Sequence, residues 1–243
     1  TWVNEYSSPK VKVVTVPDGE SGKSEEFLMQ MWSECADFGL TRSDCIVAIG
    51  GGATTDLGGF VAATWLRGIS WNAFPTSLAG MVDAAIGGKT GINSPSGKNL
   101  IGAFHSPDSV RIDITFLGSL SDRDFRAGMA EVIKCGFISD PEILKLALDA
   151  KSNIEELVHR SVEVKSKVVS TDFKESKQRE ILNYGHTLGH AVEKLEDYKF
   201  RHGEAISIGL MFAAQLSNVR GELDGEIVAK HKELLELFDL PTS

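Results

Sequence analysis

Short apolar runs alternate with amphipathic stretches along the first half of the chain, and the spacing changes near residue 120. Cys45-Ile46-Val47-Ala48-Ile49 is an apolar run of strand length, and 11–16, 71–74 and 109–113 read the same way. Between the first two of these in chain order, Phe27, Leu28, Met31, Trp32 and Cys35 recur at helical spacing, behind a capping Ser24 and ahead of Gly39. The pattern predicts a βαβ unit in a mostly parallel sheet covered by helices.

After Leu120 strand signals stop. Ser121 with Asp124 opens a helix whose inner stripe is Phe125, Met129, Val132 and Ile133. Asp140-Pro141 places a cap and an N1 proline before Ile143, Leu144 and Ala147. Ser152 with Glu155 starts a third helix through Ile154, Leu157, Val158, Ser161, Val162 and Val168, and further helices are expected over 178–196, 204–220 and 224–238. The expected fold class is α/β plus all-α: an α/β domain over 1–122 followed by an α-helical domain over 123–243.

Composition adds a few exclusions. A chain of 243 residues holds one large domain or two modest ones, and 42% hydrophobic with 24% charged residues is not a disordered or collagenous composition. The balance of 25 Lys+Arg against 34 Asp+Glu, formally −9, argues against a partner such as nucleic acid or an anionic membrane held by broad charge attraction. An anionic ligand therefore has to meet a local basic cluster. Cys35, Cys45 and Cys135 lie far apart without metal-ligand spacing, which points to reduced thiols in a cytoplasmic setting. No run approaches the roughly 18–20 apolar residues that span a bilayer, and no basic-then-apolar leader stands at Thr1, so a soluble protein is expected. Because the text opens in mid-pattern and stops just after Leu240-Pro241, it reads as a partial chain, short at the N-terminus of its first domain and the C-terminus of its second.

Three stretches carry candidate chemistry. Gly50-Gly51-Gly52 joins a strand to a helical pattern, and small residues at a helix N-terminus let backbone N–H groups approach a phosphate in a Rossmann-like way. The match to G-x-G-x-x-G is imperfect, and a plain tight turn is an equal reading. Upstream, Pro17-Asp18-Gly19-Glu20 with Lys23 could hold sugar hydroxyls or be a surface turn. From Phe74 to His105 the chain is dense in glycine, hydroxyl and lysine, including Thr76-Ser77, Asp83, Gly87-Gly88-Lys89 and Gly97-Lys98-Asn99. Lysines among glycines are well placed to meet phosphate or carboxylate; the alternative is a solvated loop.

In the second half, His186 and His190 stand at i and i+4 on one helix face, His202-Gly203-Glu204 follows at a loop-to-helix start, and Glu131 sits three residues before Lys134 in an apolar stretch. A catalytic zinc takes about three N/O protein ligands, and a Glu/His/His set meets that requirement, although any single histidine here also reads as an ordinary hydrogen-bonded one. H-E-x-x-H is absent. His159, His231 and the methionines carry no functional signal.

Taken together the motifs resemble the 3-dehydroquinate synthases, sugar-phosphate cyclases of the shikimate pathway. The resemblance rests on Pro17-Asp18-Gly19-Glu20-(x2)-Lys23, Gly50-Gly51-Gly52-(x3)-Asp56-Leu57, Arg67-Gly68, Gly87-Gly88-Lys89-Thr90-Gly91-(x1)-Asn93 and Gly97-Lys98-Asn99-Leu100-Ile101-Gly102. It continues through Phe125-Arg126-Ala127-Gly128-(x1)-Ala130-Glu131-Val132-Ile133-Lys134, Asn183-(x1)-Gly185-His186-Thr187-(x1)-Gly189-His190 and His202-Gly203-Glu204-Ala205. It implies an NAD- and metal-dependent lyase, with zinc, or cobalt substituting, held by Glu131, His186 and His202. NAD would meet Asp18, Gly19, Glu20, Lys23, Gly51, Gly52, Asp56, Thr76, Ser77, Lys89, Lys98, Phe116 and Leu117. The anionic sugar-phosphate substrate would meet Arg67, Asp83, Lys89, Lys98, Asn99, Lys134, Lys177, Arg179 and Asn183, with His190 relaying a proton. The resemblance also implies a cytoplasmic homodimer. The sequence departs from the family at Ser77, where a threonine is common, and at Thr55, where a glycine is frequent. Rival readings are a metal-dependent polyol dehydrogenase of the glycerol dehydrogenase type, another sugar-phosphate cyclase and an inactive binding module.

Overall fold

The computed structural model describes residues 11–196 and 199–243. They form two compact units: one takes in residues up to Phe74 together with Gly88–Arg111, the other Pro75–Gly87 with Ile112–Ser243. The fold is α/β in the first and α-helical in the second.

In the first unit, α1 (Glu25–Phe38) starts where the Ser24 hydroxyl accepts from Phe27 N at 3.1 Å and ends at Gly39, whose φ of 71° needs no Cβ penalty. β1 (Cys45–Gly50) runs through the glycine turn into α2 (Gly52–Thr64). β2 (Ser70–Pro75) lies between β1 and the short β5 (Ser109–Val110), and β2 and β5 run parallel with Asn72 opposite Ser109. The stretch expected as the strand 11–16 has no regular secondary structure in 11–17; Val14 and Val16 instead pack against a core of Phe27, Leu28, Leu57, Phe60, Val61 and Ile92. The segment dense in glycine and lysine contains an antiparallel hairpin, β3 (Lys89–Ser94) and β4 (Gly97–Phe104), rather than the solvated loop given as the alternative. Its glycines are there for proximity: a Cβ on Gly102 would stand 2.3 Å from Thr90 O, and one on Gly91 would stand 2.7 Å from Ile101 O.

The second unit is built around α3 (Asp122–Ile138), capped by Ser121 and buried continuously from Ala127 to Gly136. A helix buried all round must be enclosed by other elements. Those are the π-helical turn Gly80–Ala84, α4 (Pro141–Leu146), α5 (Ile154–Thr171), α7 (His202–Val219) and α8 (Gly225–Leu237). Leu78, Met81 and Val82 enter the same core as Met129, Ile133, Leu157, Ile206 and Leu234, which is why Pro75–Gly87 belongs here despite its place in sequence. Fully burying each such side chain stabilises by roughly 1.5–3 kcal/mol.

The single helix expected over 178–196 is two pieces, a 3₁₀ segment Gln178–Asn183 and α6 (His186–Leu195), separated at Gly185 with φ 80°. Glycine on both sides admits close helix contact: a Cβ on Gly185 would stand 2.8 Å from Leu210 N, and one on Gly209 of α7 would fall 1.8 Å from Gly185 O. Among the described residues no helix is long and apolar enough to cross a membrane.

Candidate active site

Within the first unit the acidic turn and the glycine turn meet through Lys23. Its side chain is 2% exposed and its ammonium donates to Asp56 Oδ2 at 2.7 Å and to Asn99 Oδ1. Asn99 holds a left-handed φ of 56°, and Asn93 links the neighbourhood by donating to Glu20 Oε2 at 2.7 Å and accepting from Asn99 N at 3.1 Å. Thus Glu20, Lys23, Asp56 and Asn99 converge, with Gly19 in the 3₁₀ turn Gly19–Gly22 and Asp18 just before it. Gly51 caps α2 and Gly52 is its first residue, so first-turn N–H groups with no intrahelical acceptor point out beyond the glycines. None of Gly50–Gly52 has a positive φ; at Gly50 the lack of a side chain matters because a Cβ would stand 2.6 Å from Thr54 Oγ1. Lys89 is exposed on β3, Lys98 half-buried on β4, and Arg67 exposed in a tight turn at φ 69°.

The other candidates belong to the second unit. Thr76 and Ser77 follow β2, and the Ser77 hydroxyl accepts from Gly80 N at 3.2 Å. Phe116 is exposed, and Leu117 packs on the core.

On α3, Glu131 and Lys134 share the i,i+3 face and are 1% and 2% exposed. The Lys134 ammonium lies 2.5 Å from Glu131 Oε2 and donates to Leu182 O at 2.9 Å, which anchors the 3₁₀ segment leading into α6. From α6, His186 Nε2 reaches to 3.7 Å of Glu131 Oε1; from the start of α7, His202 Nε2 reaches to 3.4 Å of the same atom. The three donors lie within 4.8 Å of one another. The starts of α3 and α7 are tied together by Arg123, which grips Glu204 through two bonds of 2.6 and 2.7 Å.

Burial opposes charge on Glu131, but Lys134, His202 and His186 hold its carboxyl well below the usual range. Burial drives the His186 pKa down to about 4, leaving a neutral ring with a lone pair. It works the same way on His202, but Glu131 and Glu193 overcome it and push His202 up to about 10. Next in sequence, burial pushes the Cys135 thiol up to about 12, so it is an inert core group.

Among the described residues neither buried oxygen of Glu131 has a hydrogen-bond partner of acceptable geometry. A buried carboxylate in that condition costs free energy unless something else binds it. One carboxylate oxygen and two imidazole nitrogens facing a common point form a donor set suited to a zinc-like divalent cation.

Asp83, Arg179, Lys177, Asn183 and His190 of the expected substrate set also belong to the second unit. Asp83 lies in the π turn with Oδ1 2.5 Å from Lys165 Nζ; burial raises its pKa, but Lys165 outweighs this and keeps it a carboxylate. Arg179 is 1% exposed and donates to Gly87 O and Phe173 O at 3.1 and 2.6 Å. Lys177 is exposed; its backbone N–H donates to Asp172 Oδ2 at 2.8 Å and its carbonyl accepts from Glu180 N at 3.2 Å. Asn183 is also exposed and donates to Glu175 at 2.9 Å. His190 is exposed, its ring 5.2 Å from that of His186.

Sequence reasoning missed Lys165 and Glu193. Lys165 falls on the apolar stripe of α5, four residues after Ser161 and seven after Val158, a position where a lysine must have a buried partner. Glu193 lies seven residues after His186 on the same face of α6.

A family model described as 3-dehydroquinate synthase N-terminal matches residues 13–127, and one described as 3-dehydroquinate synthase C-terminal matches residues 128–243. The chain belongs to the 3-dehydroquinate synthase family. It is 52% identical over 238 residues to the 3-dehydroquinate synthase of Corynebacterium diphtheriae and 54% identical over 238 residues to that of Rhodococcus erythropolis, each match covering 95% of this chain. It spans 66% and 64% of those relatives' lengths, less than two thirds. Among solved structures, a 2-epi-5-epi-valiolone synthase from Streptomyces hygroscopicus with NAD+ and Zn2+ bound matches at TM-score 0.88 and 29% identity, covering 94% of this chain and 66% of that one. A 2-deoxy-scyllo-inosose synthase complexed with carbaglucose-6-phosphate, NAD+ and Co2+ matches at 0.84 and 31%, covering 90% of this chain and 63% of that one. A probable glycerol dehydrogenase from Sinorhizobium meliloti matches at 0.67 and 17%, covering 93% of this chain and 69% of that one, and shares the fold alone.

Proposed function

We propose that this chain belongs to a working 3-dehydroquinate synthase, which converts 3-deoxy-D-arabino-heptulosonate 7-phosphate into 3-dehydroquinate and phosphate. In this reading the region 1–122 binds NAD, the region 123–243 binds zinc and substrate, and the protein acts as a cytoplasmic homodimer. The observation that carries it is the Glu131 carboxylate, buried without hydrogen bonds and faced by His186 and His202. NAD supplies a reversible hydride acceptor and the metal a Lewis acid toward the substrate hydroxyl that is transiently oxidised before phosphate is eliminated.

This chain's own groups do the remaining work. Glu131, His186 and His202 would hold the metal, and the glycines at the start of α2 with Glu20, Lys23 and Asp56 would hold NAD. Lys134, fixed between Glu131 and the Leu182 carbonyl, offers positive charge to an anionic substrate group. Asp83, steadied by Lys165, is a carboxylate ready to accept from a substrate hydroxyl. His190, exposed beside His186, is placed to pass a proton at a ring nitrogen. Arg67, Lys89, Lys98, Asn99, Arg179, Asn183 and Lys177 complete the proposed substrate contacts.

The test is phosphate release from the heptulosonate phosphate by the intact protein with NAD. Turnover without accumulating NADH, abolished by a chelator and restored by Zn2+, is expected. Stoichiometric NADH would make it a dehydrogenase, and turnover indifferent to chelation would remove Glu131, His186 and His202 from their assigned role.

A further inference from the structure

Each imidazole of the donor set is held from its far side. His186 Nδ1 donates to Tyr184 O at 3.1 Å, a carbonyl fixed in the joint before α6. His202 Nδ1 lies 3.2 Å from Glu193 Oε2. Glu193 is 4% exposed, and a carboxylate buried to that degree is kept only where it meets a donor or a cation. An ionised carboxylate only accepts, so the hydrogen between them sits on Nδ1, and Nε2 of the same ring is the atom turned toward Glu131.

We propose that Glu193 is a positioning residue for the metal centre: by taking the Nδ1–H of His202 it fixes the tautomer and ring orientation that aim Nε2 at the point shared with Glu131 and His186. The two rings are then held by unlike means. A main-chain carbonyl serves His186 and cannot be removed by side-chain substitution; a carboxylate serves His202 and can be. Outer partners of this kind commonly account for 10–100-fold in metal affinity. His190, Glu193 and His202 also bring donors within 4.8 Å of one another, so a competing role for Glu193, direct ligation of a second ion, has to be distinguished.

The inference rests on the metal-site reading above, and the experiment separates the two. Zn2+ affinity of the intact protein is measured by competition with a chromophoric chelator, alongside metal stoichiometry, the Co2+ absorption spectrum and melting of the metal-free form. For Glu193→Gln, Zn2+ binding weakened about 10–100-fold at unchanged stoichiometry is expected, with an altered Co2+ spectrum and a metal-free melting point close to that of the parent. Glu193→Asp, which keeps the charge and shortens the reach, is expected to fall between the two and serves if the glutamine variant does not fold. Parent-like affinity and spectrum in both variants would overturn the inference while leaving the metal site standing. A stoichiometry falling from two ions to one would overturn it in favour of ligation. A parent protein that binds neither ion would remove the metal site, and this inference with it.

Discussion

Lys23 in the first unit and Lys134 in the second are each buried against a carboxylate, and the two pairs are finished differently. Lys23 meets Asp56 and Asn99, and Asp56 keeps a 19% exposed side chain through which water can help. Lys134 meets a carboxylate that is 1% exposed, and that carboxylate is surrounded by charge yet short of hydrogen bonds. The first arrangement is a cross-link, tying the entry to α1, the face of α2 and the turn of the hairpin. The second has capacity left over, and leftover capacity at a buried polar atom is what distinguishes a binding centre from a structural pair.

The comparison breaks most visibly at Glu131. Glu131→Ala leaves the Lys134 charge buried without its partner, and we expect a loss of about 3–5 kcal/mol in denaturant unfolding of the metal-free protein together with loss of metal binding. A stable variant that still bound Zn2+ would show Glu131 to be a structural residue like Asp56. Lys23→Met is expected to cost less, about 1–3 kcal/mol, with metal affinity unchanged, since only a partly hydrated carboxylate and an amide lose a donor. A large fall in Zn2+ affinity there would erase the distinction between the two sites. Next, Lys165→Ala is expected to destabilise by about 1–3 kcal/mol because Asp83 loses its buried counter-charge, whereas Lys177→Ala stays within about 0.5 kcal/mol. Equal effects in thermal melting would mean that Lys165 is not what steadies the π turn.

The smallest effect is one of pH. His231 is 2% exposed, stacks on Phe137 at 3.4 Å and takes part in a 2.9 Å hydrogen bond with the Tyr184 hydroxyl. Burial lowers its pKa below the free value of about 6.5, so as the solution acidifies the unfolded chain takes up a proton before the folded one does. Stability from this group is therefore present above pH 6.5 and lost as pH falls toward the folded value. His231→Gln should flatten the acid limb of the stability curve by up to about one proton in slope. An unchanged limb would assign acid sensitivity to other groups.

What was legible in the sequence tracks local physics. Ser24, Ser121 and Asp140 were readable as caps because their partners lie two or three residues away, and each accepts the expected backbone N–H. The β3–β4 hairpin was obscured because its glycines record how near the opposite backbone passes, which sequence does not carry. The run 11–16 has strand-like residues, yet a strand needs a neighbour; among the described residues it has none, and Val14 and Val16 serve the core instead. For the site, Glu131, His186 and His202 could be nominated from residue type and motif, and the structure brings them together. Lys177 and Asn183 were nominated with the same warrant and stand in solvent. Lys165 and Glu193 were passed over because a lone charged residue in a helix reads as a solvated face until its burial is known.

Gly203 sits beside His202, and a Cβ there would stand 1.8 Å from Ala127 O, one turn before Glu131. The main chain of one helix thus rests directly on that of another, with no side chain as a spacer. Gly203 works as the fixed jaw of a calliper: it holds the start of α7, and with it His202, close against the helix that carries Glu131. A single methyl group at that position would open the gauge without touching any donor atom.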